Sequence, residues 1–190
     1  MTEPKADQGN IVWIDDAKGN NNNDGLSQDT PVQSIDKALE LAGEDGTIMV
    51  LDAPTIRDKG DLFFKNITLK RADGNTGYLL YFMDCKNITF DNVVIDGNNK
   101  GGGFPFIRGF RCTSMTFNDS TLKNNIGGAI DVHQTPLTIT NGEIFNCAAA
   151  ITLNTSPFRM EDPSIIIKIT TTEREQSNTV PAIIIGIPYN

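Results

Sequence analysis

Apolar and polar residues alternate along most of the chain, and a helical spacing interrupts that alternation near the start. Ile11-Val12-Trp13-Ile14 reads as a short strand, followed by a polar Asp/Asn/Gly loop over 15–25. Val32, Ile35, Leu39 and Ala42 then recur at helical spacing, which predicts a helix over Thr30–Ala42. Thr30 is its expected N-cap. Pro31 falls at the first helical position, where no N–H is needed, and Gln33 completes a capping box with Thr30. Gly43 suits the residue that ends the helix. Thr47-Ile48-Met49-Val50-Leu51 follows as the first buried strand.

Beyond residue 60 the alternation repeats. Ile67, Ile88, Met115 and Leu137 fall in one column, each followed by Thr and then by Leu69, Phe90, Phe117 or Ile139. Asn92, Asp119 and Asn141 share a later position, as do Ile95, Leu122 and Ile144. The long copy takes its extra residues around 99–103, Asn-Lys-Gly-Gly-Gly. A second echo runs through Ala129–Val132, Ala150–Leu153 and Ala182–Ile185. A unit of roughly 22 residues cannot bury its own apolar face, so copies must stack, with strands about 4.8 Å apart. Leucine-rich repeats have a similar period, but their Leu-x-x-Leu-x-Leu frame is missing. Alternation with β-branched residues favours an all-β chain folded as a parallel β-helix. The single amphipathic helix then has a role, capping an end that would expose apolar side chains and unpaired backbone.

Composition sharpens this in two ways. Charged residues are only 21% of the chain, so Asn and Thr supply much of the polarity, Asn suiting turns and Thr suiting strands. The net charge of −8, with no basic run, counts against a nucleic-acid partner. No apolar run reaches the ~18 residues of a membrane-spanning helix. The opening segment, MTEPKADQGN, lacks the apolar core of a signal peptide, so the chain is either cytoplasmic or a piece of a longer exported protein. Cys85, Cys112 and Cys147 form no C-x-x-C pair and read as buried free thiols.

Two stretches carry a resemblance. Ile11 to Leu51, with Asn23-Asp24-Gly25, the helix and Asp45-Gly46-Thr47-Ile48, resembles the N-terminal segment of secreted right-handed β-helix proteins of the pectate-lyase-like superfamily. Asn87-Ile88-Thr89-Phe90-Asp91-Asn92 and Gly127-Gly128-Ala129-Ile130 look like coils of bacterial cell-surface β-helix proteins. The resemblance implies a right-handed parallel β-helix with an N-terminal capping helix, outside the cell or at its surface. It says little about activity, because that superfamily includes lyases, hydrolases, adhesins and phage tailspikes. The expected organisation is a disordered segment over 1–10 and one domain over 11–190. That domain divides into a cap (11–46), regular coils (47–157) and irregular last coils or a cap (158–190). The apolar strand over 180–187 should be covered by a further domain, a partner chain or the segment over 158–176.

Candidate chemistry is sparse. The lyases and hydrolases of the superfamily imply clustered acids with an Arg or Lys, or a His-Gly pattern. The single histidine, His133, precedes Gln134 instead. Asp15, Asp16 and Asp24 offer carboxylates for calcium, although no Glu closes the loop as in an EF-hand, and a plain turn network is the alternative. No other cofactor is expected. Counting back from the repeat column aligns Asp84, Arg111 and His133 facing outward, with Asp131 and Phe82 on the same face and Met83, Phe110 and Val132 facing inward. Arg111 and His133 can hydrogen-bond sugar hydroxyls or carboxylates, and Phe82 can stack on a sugar ring. The expectation is a non-catalytic surface module that binds glycan or serves adhesion. A polysaccharide lyase or glycoside hydrolase acting on acidic polysaccharide, and a structural stalk or tail-fibre segment, are the alternatives.

Overall fold

In the computed structural model, residues 9–161, 166–168 and 183–186 are described. Among them the chain is all-β, a curled parallel sheet of fourteen strands with one short helix. The strands are β1 (Ile11–Asp15), β2 (Thr47–Asp52), β3 (Thr55–Arg57), β4 (Leu62–Lys65), β5 (Thr68–Arg71), β6 (Leu80–Met83) and β7 (Asn87–Asp91). They continue as β8 (Val94–Lys100), β9 (Ile107–Phe110), β10 (Ser114–His133), β11 (Leu137–Asn154), β12 (Phe158–Glu161), β13 (Ile166–Lys168) and β14 (Ile183–Gly186). The helix α1 spans Ile35–Ala42.

The pairings fall into three rows, each parallel. The first aligns Val12, Ile48, Leu69, Ile95, Leu122, Ile144 and Ile167 through β1, β2, β5, β8, β10, β11 and β13. The second aligns Leu62, Ile88, Met115, Leu137 and Phe158. The third aligns Ile56, Phe82, Gly109, Val132, Leu153 and Ile185 through β3, β6, β9, the ends of β10 and β11, and β14. Each row buries its alternate residues, because a side-chain period of two sends every second residue inward. Phe64, Phe90 and Phe117 stack ring on ring inside the second row, with centroids 4.7 and 4.5 Å apart.

The chain turns between rows at left-handed residues. Asn66, Asn92, Asp119 and Asn141 have φ of 49, 52, 48 and 50°. Asn and Asp tolerate that region better than other side chains. Asn92 also donates through Nδ2 to Asn66 Oδ1 at 2.9 Å, tying one corner to the next. Asp58, Asp84, Arg111, Gln134 and Thr155 form a second corner column at φ of 49–54°. Their N–H groups reach the neighbouring copy, as when Arg111 N donates to His133 O at 2.9 Å.

Three sequence expectations are corrected. The helix starts at Ile35, not near Thr30: Ser34 is the N-cap and its side chain accepts from Lys37 N. Thr30 Oγ1 instead donates to Asp24 Oδ1 at 2.7 Å, and Val32 forms a parallel bridge with Ile14. An extended residue before the helix buries Val32 just as a helical one would, which is why spacing alone misread it. Gly43 does end the helix, at φ 67°, donating to Leu39 O. The residue that pairs with Ile88 is Leu62 rather than Ile67, because the strand β4 supplies the first copy of that row. The third correction concerns register. The turn over 134–136 is one residue shorter than those over 84–87 and 111–114, so Met83, Phe110 and His133 pair, not Met83, Phe110 and Val132.

α1 packs on β1 and β2, at the end of the sheet where β1 pairs only with β2 among the described residues. Ile35, Ala38 and Ala42 are its buried face. Cys85, Cys112 and Cys147 are buried free thiols. The expected disorder of the first residues and the covering of the last strand lie largely outside the described residues. β12, β13 and β14 nevertheless pair in parallel with β11.

Candidate functional site

The third row presents two lines of outward residues, each fixed by strand register. One is Thr55, Tyr81, Arg108, Asp131 and Thr152, and the other Arg57, Met83, Phe110, His133 and Asn154. Parallel in-register pairing keeps such neighbours on one face, close enough for side-chain contact. Unlike the inward positions, these change chemistry from copy to copy.

Arg108 is the centre. Its Nη1 donates to the Tyr78 hydroxyl at 2.7 Å, and its guanidinium carbon lies 5.6 and 5.5 Å from the ring centroids of Tyr78 and Tyr81. Its Nε is 3.5 Å from Asp131 Oδ2. Asp131 Oδ1 in turn lies 2.9 Å from His133 Nε2. Asp131 and His133 side chains are 14% and 22% exposed, so the pair is partly shielded from water. Asp131 Oδ1 and Arg108 Nε are close to their neighbours without the geometry of a hydrogen bond, and both atoms are buried. Nη2 of Arg108 makes no hydrogen bond to a described residue. The line therefore has donor and acceptor capacity that the protein itself does not use.

Arg111 and Asp84 lie beside this line rather than in it. They form a two-pronged pair, Nε to Oδ1 at 2.7 Å and Nη2 to Oδ2 at 2.8 Å, at the left-handed corner. That hydrogen bonding holds the Asp84 carboxyl below its ordinary range and raises Arg111. Arg111 also lies over the Phe110 ring at 4.5 Å, and that ring is 6.1 Å from His133. Of the expected ligand residues, the structure thus joins Asp131 to His133 and Asp84 to Arg111. It does not place Asp84, Arg111 and His133 in one ladder: Gln134 holds the third corner position. Phe82 is not on the face at all. It is 0% exposed and packs edge-on against Phe64 at 5.9 Å.

Sequence reasoning missed Tyr78, Tyr81 and Arg108. Counting ran backwards through a turn of variable length. The pairing of Leu80, Ile107, Ile130 and Ile151 aligns Tyr81 with Arg108 and Asp131 directly, and the echo at Ala129 and Ala150 already marked that frame.

The loop that offered calcium ligands spends its oxygens on turns. Asp15 Oδ1 accepts from Ala17 N and Lys18 N, and Asp24 Oδ1 from Leu26 N and Thr30 Oγ1. The Thr30 bond is the largest cause of Asp24's lowered pKa. Asp16 accepts through its backbone oxygen from Gln33 Nε2. Among the described residues, no three His, Cys, Asp or Glu side chains gather closely enough to hold a metal ion, so Asp15, Asp16 and Asp24 are not brought together. Comparison with protein-family models, curated proteins and solved structures returned no match.

Proposed function

We propose that the chain is a right-handed parallel β-helix module, of the pectate-lyase-like kind, that binds glycan outside the cell or at its surface without cleaving it. The observation that carries this reading is the outward line Tyr81–Arg108–Asp131, joined by Tyr78 and His133. A row of arginine, carboxylate and imidazole beside aromatic rings matches the alternating polar and apolar edges of a sugar chain, and a stacked parallel sheet offers a long flat face for it. The fold half of the proposal rests on the three parallel rows and the helix packed at β1. Its setting outside the cell or at its surface rests on the resemblance of the segments over 11–51, 87–92 and 127–130.

The Asp131–His133 pair also supports a second reading, a polysaccharide lyase with His133 as the proton-accepting group. One experiment separates the readings. The protein is applied to an array of neutral and uronic-acid oligosaccharides, and each bound ligand is then incubated with it while the absorbance of unsaturated product is followed. Binding without product is expected. Product formation favours the lyase, and no binding across the panel overturns the glycan reading in favour of a stalk.

A further inference from the structure

Two of the three thiols are neighbours in the stack. Asp84 N donates to Phe110 O at 3.0 Å and Thr113 N to Cys85 O at 3.0 Å. Cys85 and Cys112 therefore hold the same place in consecutive copies, one residue past the left-handed corner formed by Asp84 and Arg111. Both are buried and free. Both side chains also leave the backbone the same way. Cys85 Sγ lies 3.5 Å from Met83 O and Cys112 Sγ 3.6 Å from Phe110 O, in each case the carbonyl two residues back. Equal orientation on parallel, in-register copies keeps two side chains one strand spacing apart, about 4.8 Å.

That separation selects among the things two thiols can do. A disulfide brings its sulfurs to ~2.05 Å with the Cβ atoms facing, which side-by-side thiols reach only by moving the backbone. Structural zinc takes four ligands, and among the described residues no His, Asp or Glu joins the pair to make even three. A metal–thiolate bond is ~2.3 Å long, so two of them in line span ~4.6 Å, which fits the spacing. Cu(I) is a soft ion that favours thiolate and is content with two ligands in line.

The fold does not ask for cysteine here. The next two copies fill the position with Thr135 and Ser156. Thr135 Oγ1 donates to His133 O at 3.0 Å and Ser156 Oγ to Asn154 O at 3.1 Å, the same contact with the carbonyl two residues back. Each hydroxyl also accepts from the copy before it, Thr135 Oγ1 from Cys112 N at 3.0 Å and Ser156 Oγ from Thr135 N at 3.1 Å. A hydroxyl satisfies this turn, and a thiol is the weaker donor and acceptor. Cysteine in two successive copies thus supplies a pair of soft ligands that the turn has no use for. Cys147 is the contrast. Its Sγ lies 3.4 Å from Phe145 O, but the residue paired with it is Asn125.

We infer that Cys85 and Cys112 form a two-coordinate site for Cu(I), with the ion held between the two sulfurs. The inference is independent of the glycan reading. Each S–H bond breaks as an S–Cu bond forms, both protons pass to the solvent, and copper stays monovalent, so no oxidant or reductant takes part. Lys86 and Thr113, the residues next to the two cysteines, are exposed, so the ion has one turn of backbone to pass.

The test is an anaerobic titration of the reduced protein with Cu(I), in competition with bicinchoninate, followed by X-ray absorption at the copper edge. The wild type should retain one Cu(I) per chain, with two sulfur neighbours at about 2.3 Å. Its denaturation midpoint should rise on loading, because the ion binds only the folded arrangement. Cys85→Ser/Cys112→Thr, which uses the residue types the fold itself places there, should lose the copper and keep the copper-free midpoint of the wild type. Cys147→Ala should retain it. A wild type that surrenders its copper to bicinchoninate overturns the site, as does a double variant that keeps copper or a Cys147→Ala variant that loses it. Should the double variant not fold, the copper neighbours in the wild type decide: two sulfurs support the site, and three or more sulfurs, or nitrogen and oxygen ligands, overturn it.

Discussion

The second and third rows are built by the same register rule and use it differently. In the second, the middle copies repeat one another: Phe64, Phe90 and Phe117 stack inside while Thr89, Thr116 and Thr138 align outside, with Phe63 and Arg159 pairing at the two ends of that line. In the third, the interior runs Phe82, Gly109, Val132 and Leu153, and the exterior Tyr81, Arg108, Asp131 and Thr152. A ladder of equal side chains packs identically at every step and serves cohesion. A ladder whose chemistry changes gives each copy one part of a composite surface. Stability should therefore concentrate in the second row and recognition in the third.

The largest expected effect lies in the uniform ladder. Phe90 is fully buried between two rings, so Phe90→Ala should cost about 3–5 kcal/mol in chemical denaturation. Arg108→Ala, on the partly exposed line, should cost far less. A Phe90→Ala variant no weaker than Arg108→Ala would remove the contrast between the rows.

Next comes the hub around Arg71, a fully buried side chain whose partner Asn125 also holds Phe104 O. Arg71→Met leaves Gly77 O and Asn125 Oδ1 without their arginine donor, while Asn75 Oδ1 keeps the Gly77 N–H, which should cost about 1–3 kcal/mol although a buried charge is relieved. Protease accessibility of the loop over 101–106 should rise in that variant. An Arg71→Met protein as stable as the wild type would show that the hub contributes nothing.

At the capped end the effect is smaller. Ser34→Ala should destabilise by about 1 kcal/mol, the usual cost of a lost N-cap. Thr30→Ala should leave the helix amide exchange rates unchanged. The reverse ranking would restore the longer helix.

The smallest effects are titrations. Burial pushes the Cys147 thiol up to about 11 from 9.0. The unfolded thiol ionises first as pH rises, so its contribution to stability is full below pH 9 and lost as pH rises through 11. The denaturation midpoint of Cys147→Ala should fall less steeply over that window than that of the wild type. For Asp84 the sign reverses. Arg111 depresses its pKa, so its stabilising share is present above the ordinary value of 3.8 and is lost as pH falls through the lower folded value. In Arg111→Ala the Asp84 carboxyl, followed by NMR, should titrate nearer its ordinary value.

The sequence made the repeat legible because Thr-flanked apolar positions recur without interruption across β7, β10 and β11. Gly43 was legible because it directly follows the last apolar residue of the helical spacing, where it ends the helix at φ 67°. The polar line was half legible. Asp131 and His133 lie on one strand, two residues apart, and alternation alone joins them. Arg108 and Tyr81 were hidden because the corner turns differ in length by one residue, and a single-residue slip moves every side chain to the opposite face. That slip put Phe82 outside when it is in the core. Thr30 misled because a capping pattern recurred four residues later at Ser34, where the side chain reaches Lys37 N. Arg71 gave no signal of its burial: Asn75 lies only four residues on, but Asn125 reaches the guanidinium through the stacking of copies.

The most direct test of the division between the rows is a titration of a galacturonate hexamer into two double variants that should both fold. One is Arg108→Ala/His133→Ala on the changing line, the other Thr116→Ala/Thr138→Ala on the uniform one. The first should lose at least about tenfold in affinity, about 1.4 kcal/mol, while the second stays within about twofold of the wild type. Equal losses, or a first variant that binds like the wild type, would contradict the assignment of recognition to the third row.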